Sequence, residues 1–115
     1  MTESPYLAGL RLAGKKVVII GGGTVAQRRL PLLLASGADV HVISRTATPA
    51  VEAMVGVTLS VRDYRDGDLD GAWYAVAATD DAQVNAAVVA EADRRRIFCV
   101  RGDGAVGGPA VTPAS

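Results

Sequence analysis

Apolar residues along the chain fall into two alternating rhythms. Short β-branched runs read as strands, and stretches with an apolar residue every three or four positions read as amphipathic helices. Val17 to Ile20 is an unbroken run, the pattern of a parallel strand buried on both faces. Thr24 to Ala35 then reads as a helix with an apolar face of Leu30, Leu33 and Leu34. Pro31 lies inside it and cannot bond back to Gln27, which predicts a kink or a loosened turn. Ser36-Gly37 ends the helix, and Asp39 to Ile43 is the second strand. Thr48 and Pro49 begin a helical turn or two, with Val51, Met54 and Val55 facing inward and Gly56 as the stop. Val57 to Val61 alternates in the manner of a strand near an edge. Arg62 to Gly71 (RDYRDGDLDG) is charged and broken by glycine, which predicts a solvated loop or short helix. Trp73 to Ala77 is the fourth strand. Thr79-Asp80-Asp81 opens a helix to Arg96 that buries Val84, Val88, Val89 and Ala92, with Asp80 and Gln83 at N-cap-box spacing. Ile97 to Val100 is the fifth strand, and Tyr6, Leu7 and Leu10 form an apolar patch expected to pack on the sheet.

Strand and helix alternate, and right-handed crossovers fix how the strands can be laid side by side. The expected fold is α/β, a Rossmann-type doubly wound parallel five-stranded sheet in the order 3-2-1-4-5. Ligands bind such sheets at the carboxyl ends of the strands, beside the switch point. Residues 1–104 form that domain. Residues 105–115, rich in glycine, alanine and proline, read as a loop leading into a further region.

A chain of 115 residues makes one domain, short for a complete enzyme of this kind. Twelve basic residues balance twelve acidic ones, which gives no reason to expect nucleic acid or an anionic membrane as partner. No basic segment leads into an apolar core at the N-terminus, and the apolar runs fall short of the ~20 residues of a membrane helix. The single cysteine excludes an internal disulfide and fits a reducing compartment, so a cytoplasmic location is expected.

Candidate chemistry gathers at the strand ends. Gly21-x-Gly23-x-x-Ala26 follows the first strand directly and opens the first helix, as a dinucleotide-binding fingerprint does. Gly21 permits the tight turn, Gly23 lets a pyrophosphate approach the backbone, and Ala26 lets helix and strand pack closely. Gly22 completes the loop. After the second strand, where NAD enzymes carry an acidic residue for the ribose, this chain has Ser44, Arg45 and Thr46. Arg45 either meets a 2′-phosphate, pointing to NADP, or lies over the adenine while Ser44 and Thr46 bond the ribose. Thr79 is the candidate contact across the cofactor, with helix capping as its plainer role. Asp103, in a glycine-flanked loop at the ligand edge, is the candidate carboxylate, although such turns also favour aspartate for local reasons. His41 and Cys99 lie within strands and are expected to be structural. Arg94, Arg95 and Arg96 end a helix, where cations suit the dipole. No His, Cys and carboxylate group has metal-ligand spacing, so no tightly bound metal is expected.

Five stretches, in order and at nearly fixed spacing, carry a resemblance. They are Tyr6-Leu7, Val18 to Ala26, Leu33 to Ala38, Ala77 to Asp81 with Asn85, and Arg96-Ile97-Phe98-Cys99. Together they resemble the N-terminal dehydrogenase domain of siroheme synthase, also found as stand-alone precorrin-2 dehydrogenase. The resemblance implies NAD as hydride acceptor and a tetrapyrrole as substrate, precorrin-2 being oxidised to sirohydrochlorin. In some members ferrous iron insertion follows. It implies cofactor contacts from Thr24 and Val25 at the glycine loop and from Arg45 and Thr46 after the second strand. It also implies that Asp103 is the general base, and that the full-length protein is a homodimer completed by a dimerisation region. The chain departs from the family around that aspartate, where it reads Arg101-Gly102-Asp103-Gly104. Because the family continues into a dimerisation region that completes the tetrapyrrole cleft, the chain is expected to be a cofactor-binding fragment with little turnover of its own. The competing expectation is a non-catalytic nucleotide-sensing domain of the same fold, which usually carries an acidic residue after the second strand.

Overall fold

A computed structural model describes residues 3–102. Strands and helices alternate as β1 (Lys16–Ile20), α1 (Thr24–Ala35), β2 (Asp39–Ser44), α2 (Pro49–Glu52), β3 (Val57–Val61), β4 (Tyr74–Ala77), α3 (Ala82–Arg95) and β5 (Phe98–Arg101). Every pairing is parallel and the order is β3-β2-β1-β4-β5, as the alternation predicts. Ile20 lies level with Ile43 on one side and Ala77 on the other, so three strands end on one rim.

The two-residue period of the strands divides the core between two faces. Val17, Ile19, Val40, Val42 and Val76 pack with Ala26 and Leu30 of α1 and Val51 of α2. Val18, Ile20, Ile43, Ala75 and Ala77 pack with Val88 and Ala92 of α3. Full burial of a side chain such as Leu30 contributes about 1.5–3 kcal/mol. Cys99 belongs to the second face, where burial pushes its thiol up to about 11. α1 runs continuously through Pro31, which is exposed.

Several local expectations are corrected. Tyr6 and Leu7 do not pack on the sheet: they are 95% and 68% exposed, and Leu12 makes the buried contact instead. α2 is a single turn capped by Thr48, so Val51 is buried while Val55, past its end, faces solvent. α3 starts at Ala82 and its cap is Asp81 rather than Asp80. The Asp81 carboxylate accepts from the N–H groups of Gln83 (2.9 Å) and Val84 (3.4 Å). Its buried stripe includes Asn85 and Glu91, with Val84 and Val89 only partly buried.

The β3–β4 connection is the largest correction. It is turn-rich but fastened down rather than simply solvated. Arg62 forms two 2.9 Å bonds to the carboxylate of Asp68, which also accepts from Arg65 N–H at 2.7 Å. Leu69 is fully buried. Glu91, equally buried, accepts from the Tyr64 hydroxyl (2.5 Å), the Leu69 N–H (3.1 Å) and Arg95 Nε (2.8 Å).

Candidate functional site

The rim is assembled from four strand exits, and its glycines serve different masters. Gly21 has φ +123°, and a Cβ there would overlap the carbonyl oxygen of Ala78 beyond β4. At Gly22 a Cβ would stand 2.5 Å from the Thr46 carbonyl oxygen and 3.0 Å from Ala47 Cα. Thr48 N–H also donates to the Gly22 carbonyl at 3.0 Å. These two glycines therefore let the β4 and β2 exits close onto the loop. Gly23 differs: it is exposed, and a Cβ on it would meet nothing within 4 Å.

Gly23 is also the N-cap of α1, with no side-chain hydrogen bond at the cap and no acidic residue in the first turn. The caps of α2 and α3, Thr48 and Asp81, both accept main-chain N–H bonds through their side chains. α1 thus presents its first N–H groups, and the positive end of its dipole, to an open mouth beside Gly23. That is an anion-binding arrangement, and it suits a diphosphate. Thr24, the first helical residue, is exposed there. Val25 is half-buried, its Cγ1 2.6 Å from where a Cβ on Gly102 would be, which packs the β5 exit against α1.

On the β2 side Ser44 is committed locally, its hydroxyl donating to the Thr46 carbonyl at 2.5 Å. The Thr46 side is exposed, and its carbonyl lies against Gly22. Arg45 turns toward Asp63, with Nε 3.3 Å from the carboxylate in a solvent-exposed pair. Asp63 was not singled out by sequence reading. Strand order holds the signal: Ser44 lies level with Val61, and Arg62 N–H donates to the Ser44 carbonyl at 2.9 Å. The residues leaving β3 must therefore run beside those leaving β2.

Across the mouth, Thr79 is half-buried and held by Asn85, which is fully buried. Asn85 Oδ1 accepts from Thr79 N–H (3.0 Å) and from its hydroxyl (2.7 Å), and Asn85 Nδ2 donates to the Thr79 carbonyl (2.9 Å). The hydroxyl also accepts from Asp81 N–H at 3.2 Å. Gly102 N–H donates to the Ala77 carbonyl at 2.7 Å, continuing the sheet past β5. Asp103 lies outside the described residues. Gly21, Gly22, Gly23, Thr24, Val25, Thr46 and Thr79 thus come together around the mouth, and Arg45 stands at its β2 side.

Elsewhere, His41 Nε2 lies 3.1 Å from Asp39. An open groove of about 340 Å³ runs over the sheet face opposite α1, lined by Lys16, His41, Ser60, Arg62 and Asp70 among others. Its charges are matched within the protein: Lys16 Nζ donates to the Asp70 carbonyl at 2.9 Å, and Arg62 holds Asp68. Among the described residues no three His, Cys, Asp or Glu gather to hold a metal ion. No described helix is long and apolar enough to cross a membrane.

Residues 8–114 match a family described as putative NAD(P)-binding. The chain is similar to the siroheme synthase of Edwardsiella ictaluri, at 39% identity over 92 residues, covering 77% of this chain and 20% of that one. It is similar to siroheme synthase 2 of Klebsiella pneumoniae subsp. pneumoniae, at 39% identity over 102 residues, covering 86% and 22%. Among solved structures it is similar to SirC, precorrin-2 dehydrogenase, with a TM-score of 0.80 and 28% identity. That match covers 95% of this chain and 55% of the other. The chain spans about a fifth of the length of the curated relatives it matches.

Proposed function

The chain belongs to the putative NAD(P)-binding family, and on that premise we propose that it is the cofactor-binding part of an NAD-dependent precorrin-2 dehydrogenase of siroheme biosynthesis. One observation carries the reading: the first helix starts at an exposed glycine with no side-chain cap, and a Cβ on that glycine would project into open space. Main-chain N–H groups of Thr24, Val25 and Ala26 hold the diphosphate there, and Gly23 lets it reach them. Bound NAD supplies the hydride acceptor. Thr79 and the Ala78 backbone wall the mouth opposite the glycine loop. Thr46 and Arg45 border the adenosine side, where Asp63 offsets the Arg45 charge that a 2′-phosphate would need. That pairing supports NAD over NADP.

Oxidation of precorrin-2 to sirohydrochlorin removes one hydride and one proton. We assign the proton to the Asp103 carboxylate, which follows directly on Gly102, the residue packed against Val25. Residues 1–104 are the NAD-binding domain in this reading, and 105–115 lead into the region through which the longer, cytoplasmic protein dimerises. Ferrous iron insertion, where it occurs, belongs to that longer protein. The test mixes precorrin-2, NAD and a form of the protein extended past Ser115, and follows NADH absorbance. NADH should accumulate, and Asp103→Asn should abolish most of the rate. A protein that binds NAD and never reduces it would refute the dehydrogenase reading, and full turnover by Asp103→Asn would refute the base.

A further inference from the structure

We infer that Asn85 is a positioning residue for the cofactor mouth, acting through the Thr79 main chain; the inference rests on the NAD-binding reading above. Asn85 sits in the first turn of α3, fully buried, and its amide holds both main-chain groups of Thr79. It accepts from the Thr79 N–H and donates to the Thr79 carbonyl. A neighbouring strand would offer β4 the same two kinds of bond, a donor and an acceptor. The amide therefore adds a rung past Ala77, where β4 has already left the sheet. Asp and Leu are close in size, but neither offers both a donor and an acceptor.

The rung matters because of what leans on it. Ala78, the residue before Thr79, donates its N–H to the Ile20 carbonyl at 2.8 Å, and its own carbonyl fills the space that a Gly21 side chain would need. Ala78 also borders Gly102, where a Cβ would stand 3.4 Å from the Ala78 Cβ. Fixing Thr79 therefore fixes the separation between the glycine loop, the β4 exit and the β5 exit. The Thr79 hydroxyl joins the same structure. It donates to Asn85 Oδ1 and accepts from Asp81 N–H, so it is engaged by the turn rather than turned to a ligand. Thr79 then borders the cofactor through its main chain, and the hydroxyl, like Asn85, acts at one remove.

The test is a titration of the 115-residue chain with NADH, read as energy transfer from Trp73, the only tryptophan. Melting temperatures are measured alongside. Wild type should bind. Asn85→Ala and Thr79→Val should each weaken NADH by about tenfold, the scale of one or two buried hydrogen bonds. Thr79→Ser should recover most of the loss caused by Thr79→Val. The double variant should lose less than the sum of the two single losses, because the bond from the Thr79 hydroxyl to Asn85 Oδ1 is broken by both substitutions. If Asn85→Ala does not fold, Asn85→Asp, which keeps the Oδ1 acceptor but loses the Nδ2 donor to the Thr79 carbonyl, decides in its place, and wild-type affinity overturns the inference. Lower melting temperatures with wild-type affinity would make Asn85 purely structural, and additive losses would make the two residues independent. Failure of wild type to bind NADH overturns the NAD reading itself, and the positioning role with it.

Discussion

Replacing Glu91 by alanine tests the account of the β3–β4 connection most sharply. The substitution strips acceptors from three donors at once: the Tyr64 hydroxyl, the Leu69 N–H and Arg95 Nε. Leu69 is fully buried, so its N–H has no water to turn to, and that orphan alone costs about 1–3 kcal/mol. Tyr64 is half-buried and recovers some hydration, which limits its share to about 1 kcal/mol. Arg95 keeps Asp70 at 3.2 Å and is one-third exposed, so its share is smaller still. The expected loss is about 2–4 kcal/mol, a large part of the ~5–15 kcal/mol that holds a domain together. For a chain of this size that lowers the melting temperature by roughly 10–25 °C. Glu91→Gln retains acceptor capacity at the site and should lose less than half as much. Far-UV circular dichroism during heating and urea titration reads both variants. A Glu91→Ala protein within about 1 kcal/mol of wild type would refute the buried-clamp reasoning.

Three other predictions follow from the same geometry. Gly21→Ala should destabilise by about 2 kcal/mol or more, through its left-handed φ and the overlap with Ala78. Gly23→Ala should instead leave the melting temperature within a few degrees while weakening NAD, and equal stability losses at both glycines would refute the division of labour between them. The Asp68 carboxyl is pushed up by burial, but hydrogen bonds from Arg62 and from Arg65 N–H, with their charges, outweigh that and hold it below the ordinary range. Its contribution is present above the ordinary carboxylate pKa and is lost as pH falls through the lowered one. Asp68→Asn should therefore lower stability at neutral pH and flatten the acid side of a urea-midpoint curve below about pH 4. An unchanged curve would sink the assignment. Cys99, buried with its thiol raised to about 11, should resist maleimide near neutral pH until the chain is unfolded, and rapid labelling of the native protein would contradict its placement.

The sheet order was legible because its causes are local and repeated. Val17–Ile20, Asp39–Ile43 and the later runs are β-branched and too short to be helices, and the segments between them are helical or broken by glycine. The glycine loop was legible for the same reason, since strand, turn and helix follow one another without a gap. What escaped the sequence depends on contacts between distant segments. RDYRDGDLDG looks solvated because its charges are visible, while Glu91, which holds its Tyr64 hydroxyl and Leu69 N–H, lies on another element. Leu69 is a single apolar residue with no periodicity to announce it. Asp80 and Asp81 both suit a cap on composition, and the choice followed from Asn85 holding Thr79 in place just before them. Tyr6 and Leu7 look like core residues by hydropathy alone, yet only Leu12 reaches the sheet. At the site, the separate duties of Gly21 and Gly23 became readable only once Ala78 was seen against the first and nothing against the second.

The passage from β3 to β4 has a consequence for how this part of the chain is free to vary. A crossover helix must keep an apolar stripe along its whole length, so most of its positions are constrained together. Here the path is pinned at Arg62, Tyr64, Asp68 and Leu69, and the stretches between the pins carry no common rhythm to preserve. Selection can change single side chains between the pins, at a cost confined to exposed pairs such as Asp66 with Arg94, while the strands on either side stay in register.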